Sequence, residues 1–286
     1  MATTLREAKP AIARRSWQLF HLVTAFVLAM TFTASISPPA IDPEWTTPAE
    51  AFDASLAPLD SIDKVVAASR AKVRKPDELE AVYQLEQLLR YRFYHGYSRY
   101  GIHENWLAWL SAKVLNPDFN AIVDPDEIVR HGSAACSQQA IVVQAALARL
   151  GVTYATVEVP EHFMTAAWIG GQWYMVDPWG PNPRNRTRLF RLEELMTVDG
   201  RKRLFPEAQS SAKWDRLRFA VPKLVKVDQF PAARALAFHR VTGWISHWLW
   251  LPLLSLVLAR LALRRPPIWR GLFRRGRQST PLPAQA

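Results

Sequence analysis

The hydrophobic pattern of the chain predicts a helical first half followed by a short β region. Apolar residues recur at helical spacing after Pro76-Asp77-Glu78, again across residues 104–115, and again across residues 138–150. After Gly151 the spacing becomes that of strands, which are predicted at 152–159, 163–169 and 172–176. This order of elements predicts an α+β fold, in which a helical N-terminal half packs on a small antiparallel sheet.

Two long apolar segments flank this region. Residues 16–41 carry no formal charge over 26 positions, and residues 241–259 carry none over 19 positions. Each is long enough to supply the ~20 helical residues that cross a bilayer core. We therefore predict transmembrane helices at 16–37 and 241–263. The alternatives are a cleaved secretory signal for the first segment and a buried core helix for the second, and the length of the first run favours an uncleaved anchor.

The net charge of +11 is concentrated at the two ends of the chain. Residues 1–15 carry a net charge of +3, and residues 260–286 carry seven arginines and no acid. The central part is close to neutral and offers no basic stripe for phosphates, so we expect no nucleic-acid partner. Because basic residues flank transmembrane helices on the cytoplasmic side, the region between the spans is expected on the periplasmic, extracytoplasmic side of a bacterial inner (cytoplasmic) membrane.

These patterns predict six segments along the chain. They are a basic cytoplasmic tail (1–15), a transmembrane signal anchor (16–37), a Pro-rich linker (38–62), a folded domain (63–230), a second transmembrane helix (241–263) and an Arg-rich cytoplasmic tail (264–286).

Cys136 is the single cysteine of the chain, and it stands where a short loop meets the helix predicted over 138–150. Unpaired N–H groups and the helix dipole favour negative charge at a helix start, which lowers a thiol pKa and produces the nucleophilic thiolate. A single cysteine excludes an internal disulfide and a zinc site built on several thiolates. The alternative role is that of a small buried apolar residue.

His162 and Asp177 occupy the far ends of the two strands that Gly170-Gly171 joins, a dipeptide that suits a hairpin turn. Antiparallel pairing of these strands makes the two residues neighbours. The order Cys, His, Asp is the order that a thiol triad needs, with the carboxylate fixing the imidazole tautomer and the other ring nitrogen facing the thiol. Cys136, His162 and Asp177 are therefore the candidate catalytic residues.

The same residues resemble those of a known family. Cys136-Ser137-Gln138-Gln139-Ala140, His162, and Trp173-Tyr174-Met175-Val176-Asp177-Pro178 are similar to the core of the transglutaminase-like superfamily, which many bacterial thiol hydrolases with a papain-like Cys-His-Asp core share. In that family the cysteine opens a helix, the histidine begins a strand, and the aspartate follows at about the 15-residue separation found here. The likeness covers residues 127–180 and is faint over 80–126. It departs at His162-Phe163-Met164, where the family usually has His-Ala-Trp.

This resemblance implies a transglutaminase-like, papain-like fold and acyl transfer through a covalent acyl-enzyme. Cys136 would be the nucleophile, His162 the base and Asp177 the orienting acid. The backbone N–H of Cys136 would be one oxyanion donor, and the side chain of Gln138, Trp106 or Trp109 would be the second.

The sequence thus predicts a membrane-anchored bacterial thiol enzyme, most simply a peptidase or amidase-type hydrolase. Its substrate would be a peptide or protein amide, and its partners the lipid bilayer and possible envelope-complex proteins. No cofactor or metal is expected, because His95, His103 and His131 lack the spacing of a zinc site. The alternatives are a non-catalytic transglutaminase-like binding or scaffold module in an envelope or polysaccharide assembly, and a membrane protein whose spans recruit other helices.

Overall fold

The computed structural model describes residues 16–30, 52–73, 77–160, 162–179, 188–200 and 221–263. The predicted basic tails, and the parts of the predicted first span and linker between residues 31 and 51, lie outside these ranges. The chain divides into two units. One comprises residues 38–243, and the other comprises residues 1–37 and 244–286.

Helices make up most of the first half of the larger unit. The helices are a 3₁₀ helix at Ala54–Leu56, α2 at Ile62–Ala71, α3 at Glu78–Arg92, α4 at Trp106–Val114, a 3₁₀ helix at Pro117–Asn120, α5 at Pro125–Arg130 and α6 at Cys136–Leu150. Side-chain caps determine where several of them begin: the Asp77 carboxylate accepts the N–H of Leu79, and the Asp124 carboxylate accepts the N–H of Asp126. The predicted helical half is therefore confirmed.

The second half of this unit carries a small antiparallel sheet in the order β4-β3-β2-β1-β5. Its strands are β1 at Tyr154–Val159, β2 at His162–Ile169, β3 at Gln172–Val176, β4 at Phe190–Arg191 and β5 at Lys223–Val225, and a short helix α7 follows at Leu192–Met196. Gly170 and Gly171 have φ angles of 56° and 82°, a left-handed conformation that glycine adopts at little cost. The turn that they form joins β2 and β3, as the sequence predicts.

The main core lies between this sheet and the helices. Residues of α3 and α6 such as Leu85, Leu89 and Leu147 pack with Ala167 and Val176 of the sheet. A smaller cluster covers the opposite face of the sheet and includes Met164, Met175, Leu192 and Leu195. Helices packed on a small antiparallel sheet confirm the predicted α+β class.

Three further helices are apolar. They are α1 at Ser16–Met30, α8 at Ala233–Trp248 and α9 at Trp250–Leu263. Together α8 and α9 form a 31-residue helix that is long and apolar enough to cross a membrane, whereas α1 is a shorter apolar helix. The predicted second span, 241–263, falls within this longer helix, and α1 covers the described part of the predicted first span.

Candidate active site

Cys136 is the first residue of α6, and its side chain is partly buried. The first backbone hydrogen bond of the helix runs from the N–H of Gln139 to the carbonyl of Ala135. The N–H groups of Cys136 and Ser137 precede that bond, so the helix itself supplies them with no acceptor. The sulfur therefore lies at the positive end of a 15-residue helix, as the sequence predicts.

His162 and Asp177 are brought together at the open end of the β2–β3 hairpin. The Nε2–H of His162 donates to Oδ2 of Asp177 over 2.8 Å, and both side chains are buried. The hairpin register pairs Thr165 with Val176, so His162 and Asp177 stand diagonally and their side chains project from the same face of the sheet. The sequence argument for their proximity rests on this hairpin, whose strand ends lie side by side.

The thiol of Cys136 interacts with the His162 side chain and with the backbone N–H of Phe163. Burial raises the pKa of Cys136, but the hydrogen bond and positive charge of His162 and the Phe163 N–H outweigh it, so the pKa is lowered overall. Burial lowers the pKa of His162, but the Asp177 charge and its hydrogen bond raise it to about 9. These opposite shifts favour a thiolate beside an imidazolium at neutral pH.

Two side chains of α3 hold the backbone of Asp177. The carboxylate of Glu86 accepts the Asp177 N–H over 2.9 Å, and the guanidinium of Arg90 donates to the Asp177 carbonyl over 3.2 Å. Glu86 is fully buried. Glu86 shares the apolar stripe of α3 with Val82 and Leu89, and this position in the sequence predicts a buried carboxylate. Because a buried charge needs a specific partner, this signal could have identified Glu86 as a functional or supporting residue.

Gln138 fixes the loop that precedes the thiol. Its Nε2 donates to the carbonyls of Ser98 and Ile122 over 2.8 and 2.7 Å, and its Oε1 accepts the N–H groups of Ser98 and Ala135. Both amide hydrogens are therefore used, and Gln138 does not serve as the second oxyanion donor that the sequence allowed. Trp106 and Trp109 lie on α4.

The buried guanidinium of Arg92 binds the same loop from α3. It donates to the carbonyl of Val129 over 2.6 Å and to that of His131 over 3.3 Å. It also reaches the carbonyls of Ala57 and Leu59 at 3.4 Å each. One side chain thus joins the N-terminal segment to the residues that lead into Cys136.

His131 occupies the start of this loop. Its Nδ1–H donates to the carbonyl of Glu127 over 2.7 Å, and its Nε2 lies 3.1 Å from the carboxylate of Glu104. Burial lowers the pKa of His131, but the hydrogen bonds and charges of these partners raise it overall. His131 is therefore part of the loop's support.

Aromatic rings cover the outer side of the His162 imidazole. The ring of Trp179 lies 5.0 Å from that of His162 and stacks on the ring of His95 at 4.1 Å, centroid to centroid. Spacing alone did not reveal His95 or Trp179 as neighbours of the site, because a loop after α3 and a loop after β3 bring them together. Trp168 and Trp173, by contrast, pair across the turn end of the hairpin.

A cavity of about 390 Å³ lies next to the first turn of α6, and the three candidate catalytic residues are not among the residues that line it. Ser137 and Phe163, the residues that follow Cys136 and His162, form part of its wall. Ile141 and Pro231 are among its apolar lining residues, and Asp118, Glu158 and Lys226 add charged groups. A cavity of this size, mostly apolar with a few polar groups, has the character of a substrate pocket.

Comparisons with known proteins give little information on identity. No protein-family model matches the chain, and no curated protein matches it significantly. Among solved structures, one described as "Crystal structure of a TGase" is similar with a TM-score of 0.30 and 19% sequence identity. The alignment covers 47% of this chain and 34% of that protein, so the chain spans about a third of it. A match at this level does not identify the family of the chain.

Proposed function

We propose that this protein is a membrane-anchored thiol enzyme of the transglutaminase-like type that transfers acyl groups at amide bonds, most simply by hydrolysis. The observation that carries the proposal is the position of the buried His162 imidazole. It interacts with the Cys136 thiol, and its Nε2 is bonded to Asp177. A histidine held this way can keep a thiolate at neutral pH and return a proton later in the reaction.

In the first half of the reaction, the thiolate of Cys136 attacks the carbonyl carbon of an amide. The new C–S bond forms as the carbonyl π electrons move to oxygen, and the backbone N–H groups of Cys136 and Ser137 are placed to bind that oxyanion. The intermediate then collapses, the C–N bond breaks, and the protonated His162 gives its proton to the departing amine. Because Nε2 is held by Asp177, Nδ1 is the ring nitrogen that exchanges this proton.

In the second half, water replaces the amine. Neutral His162 takes a proton from the water, whose oxygen attacks the thioester carbon, and the C–S bond breaks to release a carboxylic acid and regenerate the thiolate–imidazolium pair. The cavity beside Ser137 and Phe163 would bind one side of the substrate, and its apolar lining favours peptide groups with apolar side chains.

The sequence pattern supports an extracytoplasmic location for this chemistry. The long helix Ala233–Leu263 has the length and composition of a membrane span. The arginines that follow it in the sequence favour a cytoplasmic C-terminus and, with it, a periplasmic thiol at a bacterial inner membrane.

Mass spectrometry of the full chain purified from membranes tests this proposal. We expect an acyl adduct on Cys136 in the wild type. It should be absent from Cys136→Ser, which lacks the thiol, and from His162→Ala, which lacks the group that maintains the thiolate and protonates the departing amine. Ser137→Ala serves as a control that alters the same helix turn and keeps the thiol. Absence of any adduct in every variant, together with alkylation of Cys136 no faster than that of a free thiol, would contradict an enzymatic role and favour a binding module.

A further inference from the structure

Helix α4 presents an apolar surface that the larger unit leaves uncovered. Four side chains of α4, its C-cap and the 3₁₀ helix after it are exposed: Leu110 by 41%, Val114 by 70%, Leu115 by 72% and Phe119 by 37%. We name these four residues the α4 face. Leu110 and Val114 are one helical turn apart, so they project from the same side. A cluster of apolar side chains of this kind marks a surface that contacts something other than water.

The α4 face lies beside the start of the helix that has the character of a membrane span. The Nε2–H of His239 donates to the carbonyl of Phe119 over 2.9 Å, and the rings of Phe119 and Phe238 lie 5.2 Å apart. The side-chain amide of Asn105, the cap of α4, donates to Thr242 Oγ1 over 2.9 Å. Within the next residue or two along α8, the chain leaves this unit and continues as the apolar segment.

The composition of α4 matches an interfacial helix. From Trp106 to Pro117 the only ionisable residue is Lys113, whose ammonium lies 5.9 Å from the ring centroid of Trp109. Tryptophan prefers the level of the lipid headgroups, and lysine can extend its charge to the phosphates while its methylenes stay on apolar surface. Leucine, tryptophan and lysine on one short helix are typical of segments that lie in the plane of a membrane.

We propose that the α4 face rests on the surface of the lipid bilayer, with its apolar side chains at the boundary between headgroups and acyl chains. The occupant is lipid because the contacts of Phe119 and Asn105 tie this surface to residues 238–242, in the first third of the helix that has the character of a membrane span. This inference rests on the membrane-anchored part of the proposed function and is independent of its chemistry. A domain held at two places, by the helix and by the α4 face, would keep Cys136 at a fixed height above the membrane.

Site-directed fluorescence on the full chain in vesicles tests this proposal. In a Cys136→Ser background, Leu115→Cys carries an environment-sensitive nitrobenzoxadiazole label, and the vesicles contain phosphatidylcholine and phosphatidylglycerol with or without spin-labelled acyl chains. Val198→Cys is the matched control, because Val198 is an apolar residue exposed by 47% on another part of the same unit. Leu256→Cys, in α9, reports on the span itself.

We expect spin-labelled lipid to quench the label at residue 115 severalfold more than the label at residue 198, and to quench residue 256 as well. If the label at residue 256 is quenched but the label at residue 115 is quenched no more than the label at residue 198, the inference is overturned and the membrane anchor stands. A blue-shifted but unquenched label at residue 115 would also overturn it, because it would indicate protein covering the face. An unquenched label at residue 256 would refute the membrane anchor and this inference together.

Discussion

Replacing Asp177 by asparagine tests the electrostatic argument for the site most directly. Asparagine keeps the size of the side chain and can still accept a hydrogen bond from His162 Nε2, but it carries no charge. The Asp177 charge is the largest influence that raises the pKa of His162, whereas burial lowers it. Without that charge, we expect the His162 pKa to fall to or below its ordinary value of 6.5.

The size of the effect follows from the pKa itself. A rise from 6.5 to about 9 corresponds to roughly 3 kcal/mol of preference for the imidazolium, at about 1.36 kcal/mol for each pH unit. Because the imidazolium in turn lowers the pKa of Cys136, its loss leaves burial as the dominant influence on the thiol. At pH 6 we therefore expect the thiolate population to fall on the order of 10- to 100-fold.

The single cysteine makes this population measurable without knowledge of the substrate. Iodoacetamide reacts with the thiolate, and in this chain every alkylation event reports on Cys136. The alkylation rate of the Asp177→Asn variant should be reduced at pH 6 and should approach that of the wild type only at alkaline pH. Asp63→Asn is the control, because Asp63 forms an exposed ion pair with Arg149.

Equal pH profiles for Asp177→Asn and the wild type would refute the reasoning, because the thiolate would then not depend on the His162–Asp177 pair. A profile that shifts equally in Asp63→Asn would assign the effect to net charge. Circular dichroism of each variant establishes that a lowered rate does not come from unfolding.

Three further predictions concern pH and the supports of the site. The rate of amide turnover should rise with pH at values below the ordinary thiol pKa, because the thiolate–imidazolium pair forms there. It should fall near pH 9, where His162 loses its proton. A rate that keeps rising above about pH 10 would contradict this assignment. Arg92→Met should lower the free energy of unfolding by about 3 kcal/mol, because it removes the donor of four carbonyl contacts. Denaturant titration of the full chain in detergent measures this loss, and Arg149→Met, at an exposed position, should change it little. Gln138→Ala should lower the free energy of unfolding by about 2 to 4 kcal/mol and slow the alkylation of Cys136, because the hydrogen bonds of Gln138 fix the loop before the thiol. Gln172→Ala, the control, should change neither quantity.

The sequence predicted the local parts of this site and missed the long-range parts. The helix near Cys136 and the hairpin that brings His162 close to Asp177 follow from spacing and a glycine turn. These relations act over at most a few tens of residues. The proximity of His162 to Asp177 was therefore accessible before the structure, although their catalytic roles stay a prediction.

The supports of the site depend on packing between distant elements. Glu86 reaches Asp177 across 91 positions, and Gln138 reaches Ser98 across 40. No local pattern fixes which side chain meets which backbone group after helices pack on a sheet. Gln138 illustrates the consequence: its place in the first turn of α6 made it a candidate oxyanion donor, whereas its surroundings make it a structural residue.

The three supporting side chains of α3 also show why the site requires the whole domain. Glu86 and Arg90 hold the backbone of Asp177, and Arg92, at the end of the same helix, holds the loop that leads into Cys136. The thiol and the carboxylate belong to different elements, α6 and the end of β3, but both are bound to one helix. The packing of α3 therefore contributes to the position of both groups. The chemistry proposed for the thiol depends on the packing of a helix that contains none of the three candidate catalytic residues.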